Sequence, residues 1–572
     1  MKIYNQPVEL IIEIPPVNPN SKTPFNLKKG LEDGGVPITK ISKKVSSPQP
    51  KGSKLKAAAA QSPGPQKTHV QTKIKDTAMN PWDVAHMAAK ALGQSTFVEP
   101  DLLQEFVADQ NIDVSFKKMR DLSNAPATKS ISENGFDPDW LPKQNIIWHL
   151  GDKFSQLKSA REAVANIEYT IRIGHLDTGY NQTHKVIPDS IRKNKLQRNF
   201  VEGETQDDAH DPKTTGLLRN PGHGTGTLGI LAGTKIKINT DEGVFNDFLG
   251  GAPFAEVICC RISPTVVLIK TSAFADALNY LTGLSKSGTQ VHVVSMSMGG
   301  APTKSWADAV NAAYDAGITV VTASGNNFNG LPTKHVIYPA RFERVIAACG
   351  VTNDFKPYHS GKLGEMQGCY GPERHMDRAL AAFTPNTPWA SGDDSIIMFS
   401  GAGTSSATPQ IAAAAAIYYR KYHKELDALQ PWQRVEAIRN ALYKSAFKKG
   451  DDKNFKNNFG NGIIQAKNAL DIAVNKDLKK TPEDTVPWFP IITTMFKAMP
   501  AAKPNNRLLM FNTELAQLVF NYPELSAIID NNEVKYENIP SKKWAAFTDA
   551  VIAHPAASLT LKKFLMTTHK PK

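Results

Sequence analysis

Short apolar segments recur between residues 170 and 351, and this pattern constrains the fold more than any other feature of the chain. Stretches of helical character at 271–284 and 304–316 separate several of these segments. Nearly continuous apolar strands that alternate with helices are typical of a parallel sheet covered on both faces. The sequence therefore predicts an α/β fold with a doubly wound, mostly parallel sheet, whose recognisable strands are 170–176, 256–262, 291–296, 318–323 and 345–351.

Polar and small residues directly follow three of these strands. Asp177 follows the first, residues 297–300 follow the third, and residues 324–326 follow the fourth. In sheets of this kind, ligands bind beyond the carboxyl ends of the strands. We therefore expect the functional site at this edge of the sheet.

A run of small residues at 401–409, Gly-Ala-Gly-Thr-Ser-Ser-Ala-Thr-Pro, leads into an alanine-rich stretch that should be helical. Its central serine, Ser405, would lie at the positive end of the helix dipole, where small neighbours leave room for a substrate backbone. Gly, Ser and Thr before a helix are also typical of ordinary N-caps and turns. The run alone therefore does not identify a site.

Two further motifs contain the groups that a nucleophilic serine needs, namely an adjacent base and an acid that orients the base. Asp177 ends a predicted strand and precedes Thr-Gly, whereas His223 lies between glycines at the start of a small-residue helix. Alone, such an Asp is usually a cap and such a His usually a loop residue. Their occurrence together with Ser405, in the order Asp, His, Ser, favours a catalytic triad.

The Asp-Thr-Gly at 177–179, the His-Gly-Thr at 223–225 and the Gly-Thr-Ser-Ser-Ala-Thr-Pro at 403–409 resemble motifs of the subtilisin-like serine proteases, the subtilases. The resemblance covers roughly residues 140–475. It implies a seven-stranded parallel α/β fold and peptide-bond hydrolysis through an acyl-enzyme. It also implies that Ser405 is the nucleophile, His223 the general base and then acid, and Asp177 the orienting carboxylate.

The resemblance extends to the oxyanion segment of the family, which matches Thr-Ala-Ser-Gly-Asn at 322–326. It implies that the Asn326 side-chain amide stabilises the oxyanion together with the backbone N–H of Ser405. Ser324 and Gly325, in the same segment, are expected to contact the substrate.

Two other stretches resemble substrate-binding parts of subtilases. Residues 295–300, with Ser297, Met298 and Gly299 as the site residues, resemble the strand that pairs with the peptide, although a buried strand ending in a glycine turn would look the same. Ile337 would fill the floor of the primary specificity pocket and favour small P1 side chains. One departure is Gly226, which stands where the family often has a second histidine.

The chain of 572 residues has a net charge of +13, much of it in a Lys- and Pro-rich tract from about 15 to 79. Such a tract can bury little apolar surface, so we expect a disordered basic arm. The charge also permits an alternative function in association with nucleic acid or a membrane surface. The arm lacks the interleaved aromatic side chains that stack on bases, so we do not expect nucleic acid as a partner. No apolar run is long enough for a membrane span.

The four cysteines are too few for a disulfide framework in a chain of this size, which predicts buried free thiols in a reducing compartment. Acidic residues interrupt the apolar stretch near the N-terminus, so we expect no secretory signal peptide. Both observations favour the cytoplasm, with delivery by a dedicated secretion system left open.

Residues 1 to about 110 predict a small α+β module, with a strand within 1–16, a helix that begins at Asn80-Pro81, and a strand and turn at 96–101. Subtilase prodomains are small α+β units whose extended end docks in the active cleft. The resemblance thus implies a zymogen in which this module is an intramolecular inhibitor. A permanent domain that recruits a partner is the alternative.

We expect the catalytic domain at 111–478 and a helical C-terminal region at 479–572. The C-terminal helices, predicted at 488–499, 514–520 and 544–554, carry no evident chemistry and are typical of a docking appendage.

The predicted function is that of a serine endopeptidase that acts on proteins or peptides and is regulated by its N-terminal module. A binding protein that keeps the fold without turnover is the alternative, but the complete triad and Asn326 argue against it. The chemistry requires no cofactor. Calcium sites are common in the family, so a structural calcium ion stays open, although Asp207, Asp208 and Asp211 are more typical of a solvated loop than of a metal site.

Overall fold

The computed structural model divides the chain into two compact units. The terminal unit comprises Met1–Leu103, Ala301–Ala307 and Thr485–Lys572, and the sheet unit comprises Gln104–Gly300 and Asp308–Asp484. The structure describes residues 8–13, 26–36, 38, 40–41, 67–71, 79–93, 96–105, 145–211, 222–240, 243–266, 268–328, 333–358, 366–390, 397–448, 453–487, 489, 505–529 and 538–568.

The sheet unit is built on a seven-stranded sheet whose neighbouring strands all run parallel, which confirms the predicted fold class. The five predicted strands are present, with bounds shifted by a residue or two, and one additional strand lies at each edge. From one edge to the other, the order is Ala379–Phe383, Val345–Val351, Thr319–Ala323, Val293–Met296, Arg172–Asp177, Glu256–Arg261 and Arg198–Asn199.

The two edge strands had no clear pattern in the sequence. Ala379–Phe383 is rich in alanine, which favours helices, and Arg198–Asn199 is short and polar. Both are strands because they pair with a neighbour that is distant in the sequence, Ala379–Phe383 with Val345–Val351 and Arg198–Asn199 with Glu256–Arg261.

Helices and short strands surround the sheet. The helices are Leu157–Ala163, Asp189–Arg192, His223–Ala232, Thr271–Lys286, Lys304–Asp315, Thr404–Lys421, His423–Asp427, Pro431–Ser445, Lys453–Phe459 and Ala466–Ala469, with 3₁₀ turns at Trp148–Leu150 and Glu373–Arg378. The short strands are Leu103–Glu105, Lys235–Thr240, Gly243–Phe248, Leu268–Lys270, Asn326–Phe328, Met366–Gly368, Thr387–Ala390 and Ile397–Gly401.

The alanine-rich helix Thr404–Lys421 lies in the core of the sheet unit. Every residue from Thr404 to Tyr419 is buried, and from Ile411 to Ile417 the helix is apolar on all faces. Its alanines lose no side-chain entropy in a helix, and their small size allows the helix to pack closely against the sheet. This packing holds the N-terminus of the helix, and with it Ser405, in a defined place.

The terminal unit contains a four-stranded antiparallel sheet in the order Lys40–Ile41, Lys67–Gln71, Glu9–Glu13 and Phe97–Pro100. The helix Pro81–Leu92 begins as predicted, since the Asn80 side chain accepts a hydrogen bond from the Trp82 N–H and Pro81 occupies the first helical position. The other helices of the unit are Leu27–Asp33, Asn506–Asn521, Pro523–Ile528, Ser541–Ala553 and Leu559–Thr568.

The prediction that the whole tract from about 15 to 79 is disordered is wrong. The helix Leu27–Asp33 and the strands Lys40–Ile41 and Lys67–Gln71 all lie within it. Asn26 caps the helix by accepting a hydrogen bond from the Lys29 N–H, and Leu27 and Leu31 bury one helical face. The strands form by pairing with one another and with Glu9–Glu13, a long-range contact that composition does not reveal.

Two of the three predicted C-terminal helices are present in longer form, as Asn506–Asn521 and Ser541–Ala553. The third, at 488–499, falls outside the described residues except for residue 489. Across the described part of the chain, no helix has both the length and the apolar character that a bilayer-spanning helix requires.

His149 lies in the core of the sheet unit with no exposed surface, and within the described residues neither ring nitrogen has a hydrogen-bond partner. Burial, with the nearby charge of Arg161, lowers the pKa of His149 to about 3. The unfolded chain therefore takes up a proton at this ring as the pH falls below its ordinary pKa, while the folded chain does not. The contribution of the neutral His149 ring to the free energy of unfolding is complete above that ordinary pKa, and it is lost as the pH falls toward 3.

We expect the free energy of unfolding to fall less between pH 7.5 and pH 5.5 in His149→Phe than in the wild type, by roughly 1 kcal/mol. Denaturant unfolding at the two pH values measures this difference. Any effect of the substitution on packing is the same at both pH values, so it cancels from the comparison. Equal pH dependence in both proteins would contradict the assignment of His149 as a buried neutral ring.

Candidate active site

Asp177 ends the strand Arg172–Asp177, and its carboxylate is fully buried. Its Oδ1 accepts hydrogen bonds from the Thr178 N–H at 2.8 Å and from His223 Nδ1 at 2.7 Å, and its Oδ2 accepts one from Thr227 Oγ1 at 3.1 Å. Burial by itself would raise the pKa of Asp177, but the interactions with His223, His175 and the Thr178 N–H together outweigh burial and hold the pKa below its ordinary value. Asp177 is therefore a carboxylate at neutral pH.

His223 is the first residue of the helix His223–Ala232 and is 8% exposed. Close packing brings it to Asp177, because a Cβ atom at Gly224 would lie 1.9 Å from the carbonyl oxygen of Gly179. Only glycine therefore fits at position 224. Since the carboxylate of Asp177 can only accept, His223 Nδ1 carries the proton, and Nε2 is left able to take one up.

A second pair of buried side chains supports Asp177 from the other side. His175, two residues earlier on the same strand, has its Nε2 at 2.9 Å from Thr227 Oγ1, and Thr227 in turn contacts Oδ2 of Asp177. Burial lowers the pKa of His175 to about 4, so the ring is neutral at neutral pH. Neither His175 nor Thr227 was predicted from the sequence. The alternation of the strand, which turns His175 to the same side as Asp177, could have indicated the first.

Ser405 is the second residue of the helix Thr404–Lys421 and is 8% exposed. Its Oγ donates a hydrogen bond to the carbonyl oxygen of Ser297 at 3.3 Å, and Ser297 Oγ donates to the carbonyl oxygen of Ser405 at 3.1 Å. The structure thus brings the candidate nucleophile to the end of the predicted substrate-binding strand. Among the described residues, Ser405 Oγ and His223 are not joined by a hydrogen bond in this structure.

Asn326 lies beside the serine loop and has a defined orientation. Its Oδ1 accepts hydrogen bonds from the backbone N–H of Thr404 at 2.9 Å and from Thr404 Oγ1 at 3.2 Å. A Cβ atom at Gly403, where φ is +72°, would lie 2.8 Å from Asn326 Nδ2. The two donors fix the orientation of the amide, which lies beside Gly403, two residues before Ser405.

Several of the residues predicted to bind the substrate also come together. A Cβ atom at Gly299 would lie 2.6 Å from Ile337 Cδ1, and one at Gly325 would lie 2.9 Å from the same atom. The Ile337 N–H donates to the carbonyl oxygen of Ser324 at 3.0 Å. Met298, which precedes Gly299, is also buried. Ile337 therefore packs against both glycines, as a side chain at the base of a pocket would.

Trp389, in the strand Thr387–Ala390, explains why glycine stands at position 226, where the subtilase motif often has a second histidine. No pattern in the sequence indicated this role. A Cβ atom at Gly226 would lie 2.0 Å from Trp389 Cε2. The indole also packs edge-on against His223, with ring centroids 5.4 Å apart. Trp389 thus occupies the space that a side chain at position 226 would need.

The three acidic residues of the loop before His223 have separate partners. Asp207 pairs with Arg198, Asp208 Oδ1 lies 2.7 Å from His210 Nδ1, and Asp211 accepts hydrogen bonds from the Gly222 N–H and Thr178 Oγ1. In the described part of the chain, no group of three or more His, Cys, Asp or Glu side chains is placed to hold a metal ion. Asp211 instead links the turn after Asp177 to the start of the His223 helix.

Comparisons with known proteins agree with this geometry. The model of the subtilase family matches residues 169–462, just over half of the chain. The chain is 27% identical over 385 residues to the alkaline protease of Shouchella clausii, which covers 66% of this chain and 84% of that protein.

Two other curated proteins are similar. Subtilisin Savinase of Lederbergia lenta is 29% identical over 304 residues, which is 52% of this chain and 90% of Savinase. Alkaline elastase YaB of Bacillus sp. (strain YaB) is 26% identical over 379 residues, which is 66% of this chain and 83% of the elastase. With a family match over this much of the chain, the protein belongs to the subtilase family and is a serine endopeptidase.

Proposed function

We propose that the protein hydrolyses peptide bonds through Ser405, His223 and Asp177. The observation that carries this proposal is the 2.7 Å hydrogen bond between His223 Nδ1 and the buried Asp177, which leaves Nε2 as the available base. As Ser405 Oγ attacks the carbonyl carbon of the substrate, its proton passes to His223 Nε2. His223 then gives this proton to the leaving amine, and water releases the acyl group by the reverse sequence.

Ser405 must first turn away from the carbonyl oxygen of Ser297, to which its Oγ donates in this structure. Hydrogen bonds between a nucleophile and its base often tighten only when substrate is bound. The helix holds the Ser405 backbone in place, so we expect the side chain to change rotamer when substrate binds.

Asn326 Nδ2 and the Ser405 backbone N–H are the proposed donors to the oxyanion. Anchoring of Asn326 Oδ1 by two donors from Thr404 supports this role, because an amide that is already oriented need not reorganise during the reaction. Loss of one such donor typically lowers turnover by about 10²–10³. These steps require no cofactor.

The proposed substrate site uses the end of the strand at Ser297, Met298 and Gly299 to pair with the peptide. The position of Ile337 against Gly299 and Gly325 supports a shallow pocket for the P1 side chain. A shallow apolar pocket accepts alanine or leucine more readily than phenylalanine or lysine.

We expect peptides with Ala or Leu at P1 to have a kcat/KM about tenfold or more above that of matched peptides with Phe or Lys. The four peptides should differ only at P1, and Ser405→Ala should serve as the blank. Because Ile337→Ala would deepen the pocket, it should raise kcat/KM for the Phe peptide most. A clear preference of the wild type for Phe would contradict the proposed pocket.

We also propose that residues 1 to about 110 are an inhibitory module whose removal by self-cleavage activates a zymogen. Their fold, a four-stranded sheet with the helices Leu27–Asp33 and Pro81–Leu92, supports this proposal. So does Glu99, near the extended end, which is 1% exposed and accepts hydrogen bonds from the N–H groups of Lys304 and Ser305 at the start of a helix.

The four buried free cysteines support a further proposal, that the protein resides in a reducing compartment such as the cytoplasm.

If the module matures in this way, intact-mass analysis of purified wild type should show cleavage beyond Glu105, while Ser405→Ala stays full length. Both proteins should be expressed and purified in parallel, so that cleavage by host proteases appears equally in each. An active wild-type preparation with an intact N-terminus would contradict maturation by cleavage.

A further inference from the structure

We propose that the C-terminal helices bind the chain's own N-terminal module and keep it attached as a non-covalent subunit after the chain between Glu105 and Asn145 is cut. The proposal rests on the cleavage proposed above. The surface concerned belongs to the helices Asn506–Asn521 and Leu559–Thr568 and the turn before the latter, and its partner is the helix Pro81–Leu92. All of these elements lie within the terminal unit.

The first contact is a helix cap supplied by a distant part of the chain. Asp83 Oδ2 accepts a hydrogen bond from the Leu559 N–H at 2.9 Å, and its Oδ1 accepts from the N–H and Oγ1 of Thr560 at 2.8 and 2.6 Å. Helix N-termini are usually capped by the residue just before the helix. Ser558 does cap this helix, since its Oγ accepts a hydrogen bond from the Leu561 N–H at 3.0 Å. The N-terminal module adds a carboxylate to the N–H groups of Leu559 and Thr560, where the helix dipole also favours a negative charge.

The second contact surrounds a buried carboxylate. Glu514 is 1% exposed and accepts hydrogen bonds from the N–H and Oγ of Ser558, within the C-terminal helices. His86 of the module is also buried, and its Nε2 lies 3.7 Å from Glu514 Oε2. Separation of the two parts would expose this buried polar cluster to water and leave His86 without its neighbour.

Two further hydrogen bonds lie on either side of this cluster. Trp82 Nε1 donates to Gln517 Oε1 at 3.0 Å, and Asn80 Nδ2 donates to the carbonyl oxygen of Ala556 at 2.9 Å. Both donors belong to the first turn of the module helix or its cap. The contact is therefore directional as well as apolar, which is typical of a specific interface.

Apolar packing joins the same surfaces. Met510, on the helix Asn506–Asn521, is fully buried in the hydrophobic cluster that also contains Leu10, Ile12 and Val84 of the module. The ring of Phe511 packs against His86, with ring centroids 4.6 Å apart. The C-terminal region thus completes the core of the N-terminal module.

The C-terminal helices also have a hydrophobic core of their own, which includes Phe489, Leu515, Phe547, Val551 and Leu561. They therefore have the internal packing of a folded bundle that presents one face to the module. None of the contacts above depends on the peptide bonds between Glu105 and Asn145, so a cut there removes none of them. The released module should then leave slowly, because the C-terminal helices hold it in addition to the hydrogen bonds that Glu99 accepts from Lys304 and Ser305.

The test uses the full chain carrying Ser405→Ala, with a recognition site for an unrelated protease placed between Glu105 and Asn145. After cutting, size-exclusion chromatography and native mass spectrometry should show the N-terminal fragment still bound to the remainder. An excess of labelled N-terminal fragment is then added, and the rate at which it replaces the bound fragment is the exchange rate. Because the added protease makes the cut, the result does not depend on self-cleavage, and failure of the wild type to cleave itself would contradict only the maturation proposal.

Two variants at the contact should increase the exchange rate at least tenfold, namely Met510→Ala in the C-terminal helices and Asp83→Ala in the module. Gln517 is less suitable, because its Nε2 also donates to the carbonyl oxygen of Pro302, outside the module. Asn521→Ala, an exposed position on the same helix as Met510, is the matched control and should leave the rate unchanged. Thermal unfolding of the uncut proteins shows whether each variant is folded, and the two variants change opposite sides of the contact.

Free elution of the cut fragment from the protein without contact substitutions would overturn the proposal. So would a fragment that stays bound with the same exchange rate in both folded contact variants, since it would then be held by something other than the C-terminal helices.

Discussion

A buried carboxylate satisfied by three donors is the constraint on which the candidate site depends. Asp177 has no exposed surface, so its charge is tolerated only because Thr178, Thr227 and His223 all donate to it. The same hydrogen bond that satisfies Asp177 fixes the tautomer of His223. The stability of the site and its chemistry therefore depend on the same hydrogen bond, that between Asp177 and His223. The sheet positions this bond, because the strand Arg172–Asp177 ends at Asp177.

The second requirement is that the serine loop and the base, which come from distant parts of the chain, meet with little freedom. The buried alanine helix holds Ser405, and Thr404 in the same turn orients Asn326 through its N–H and hydroxyl. Trp389 packs against His223 and covers Gly226. Each group of the proposed mechanism is thus positioned by a neighbour that has no chemical role itself.

Much of this arrangement could be predicted from the sequence, because its signals are local. The five apolar strands and the start of the helix at Asn80-Pro81 follow from periodicity and capping, and the structure confirms them. The glycines beside His223 were part of the motif that identified it, and the structure shows that one of them, Gly224, is required by its close approach to the backbone of Gly179. The roles of Ser405, His223, Asp177 and Asn326 remain predictions from family resemblance, which the geometry supports.

What the sequence did not reveal depends on long-range contacts. The strand Lys67–Gln71 lies in a tract of disordered composition and forms because Glu9–Glu13 pairs with it. Trp389 belongs to no recognisable motif, since its importance arises only from its position over Gly226. The link between the module helix and Leu559–Thr568 spans most of the chain, so no local pattern could have indicated that Asp83 caps that helix.

The central claim, that Ser405 is a nucleophile activated by His223, is tested most directly by the rate of labelling with a fluorophosphonate probe. The rate should be measured for the wild type, His223→Ala and Ser405→Ala, before and after limited proteolysis, so that an inhibitory module cannot hide the serine. We predict that the wild type is labelled at Ser405, that Ser405→Ala is not labelled, and that His223→Ala reacts slower by about 10²–10⁴, the usual contribution of a general base. Labelling of His223→Ala at the wild-type rate, or at a residue other than Ser405, would contradict the account.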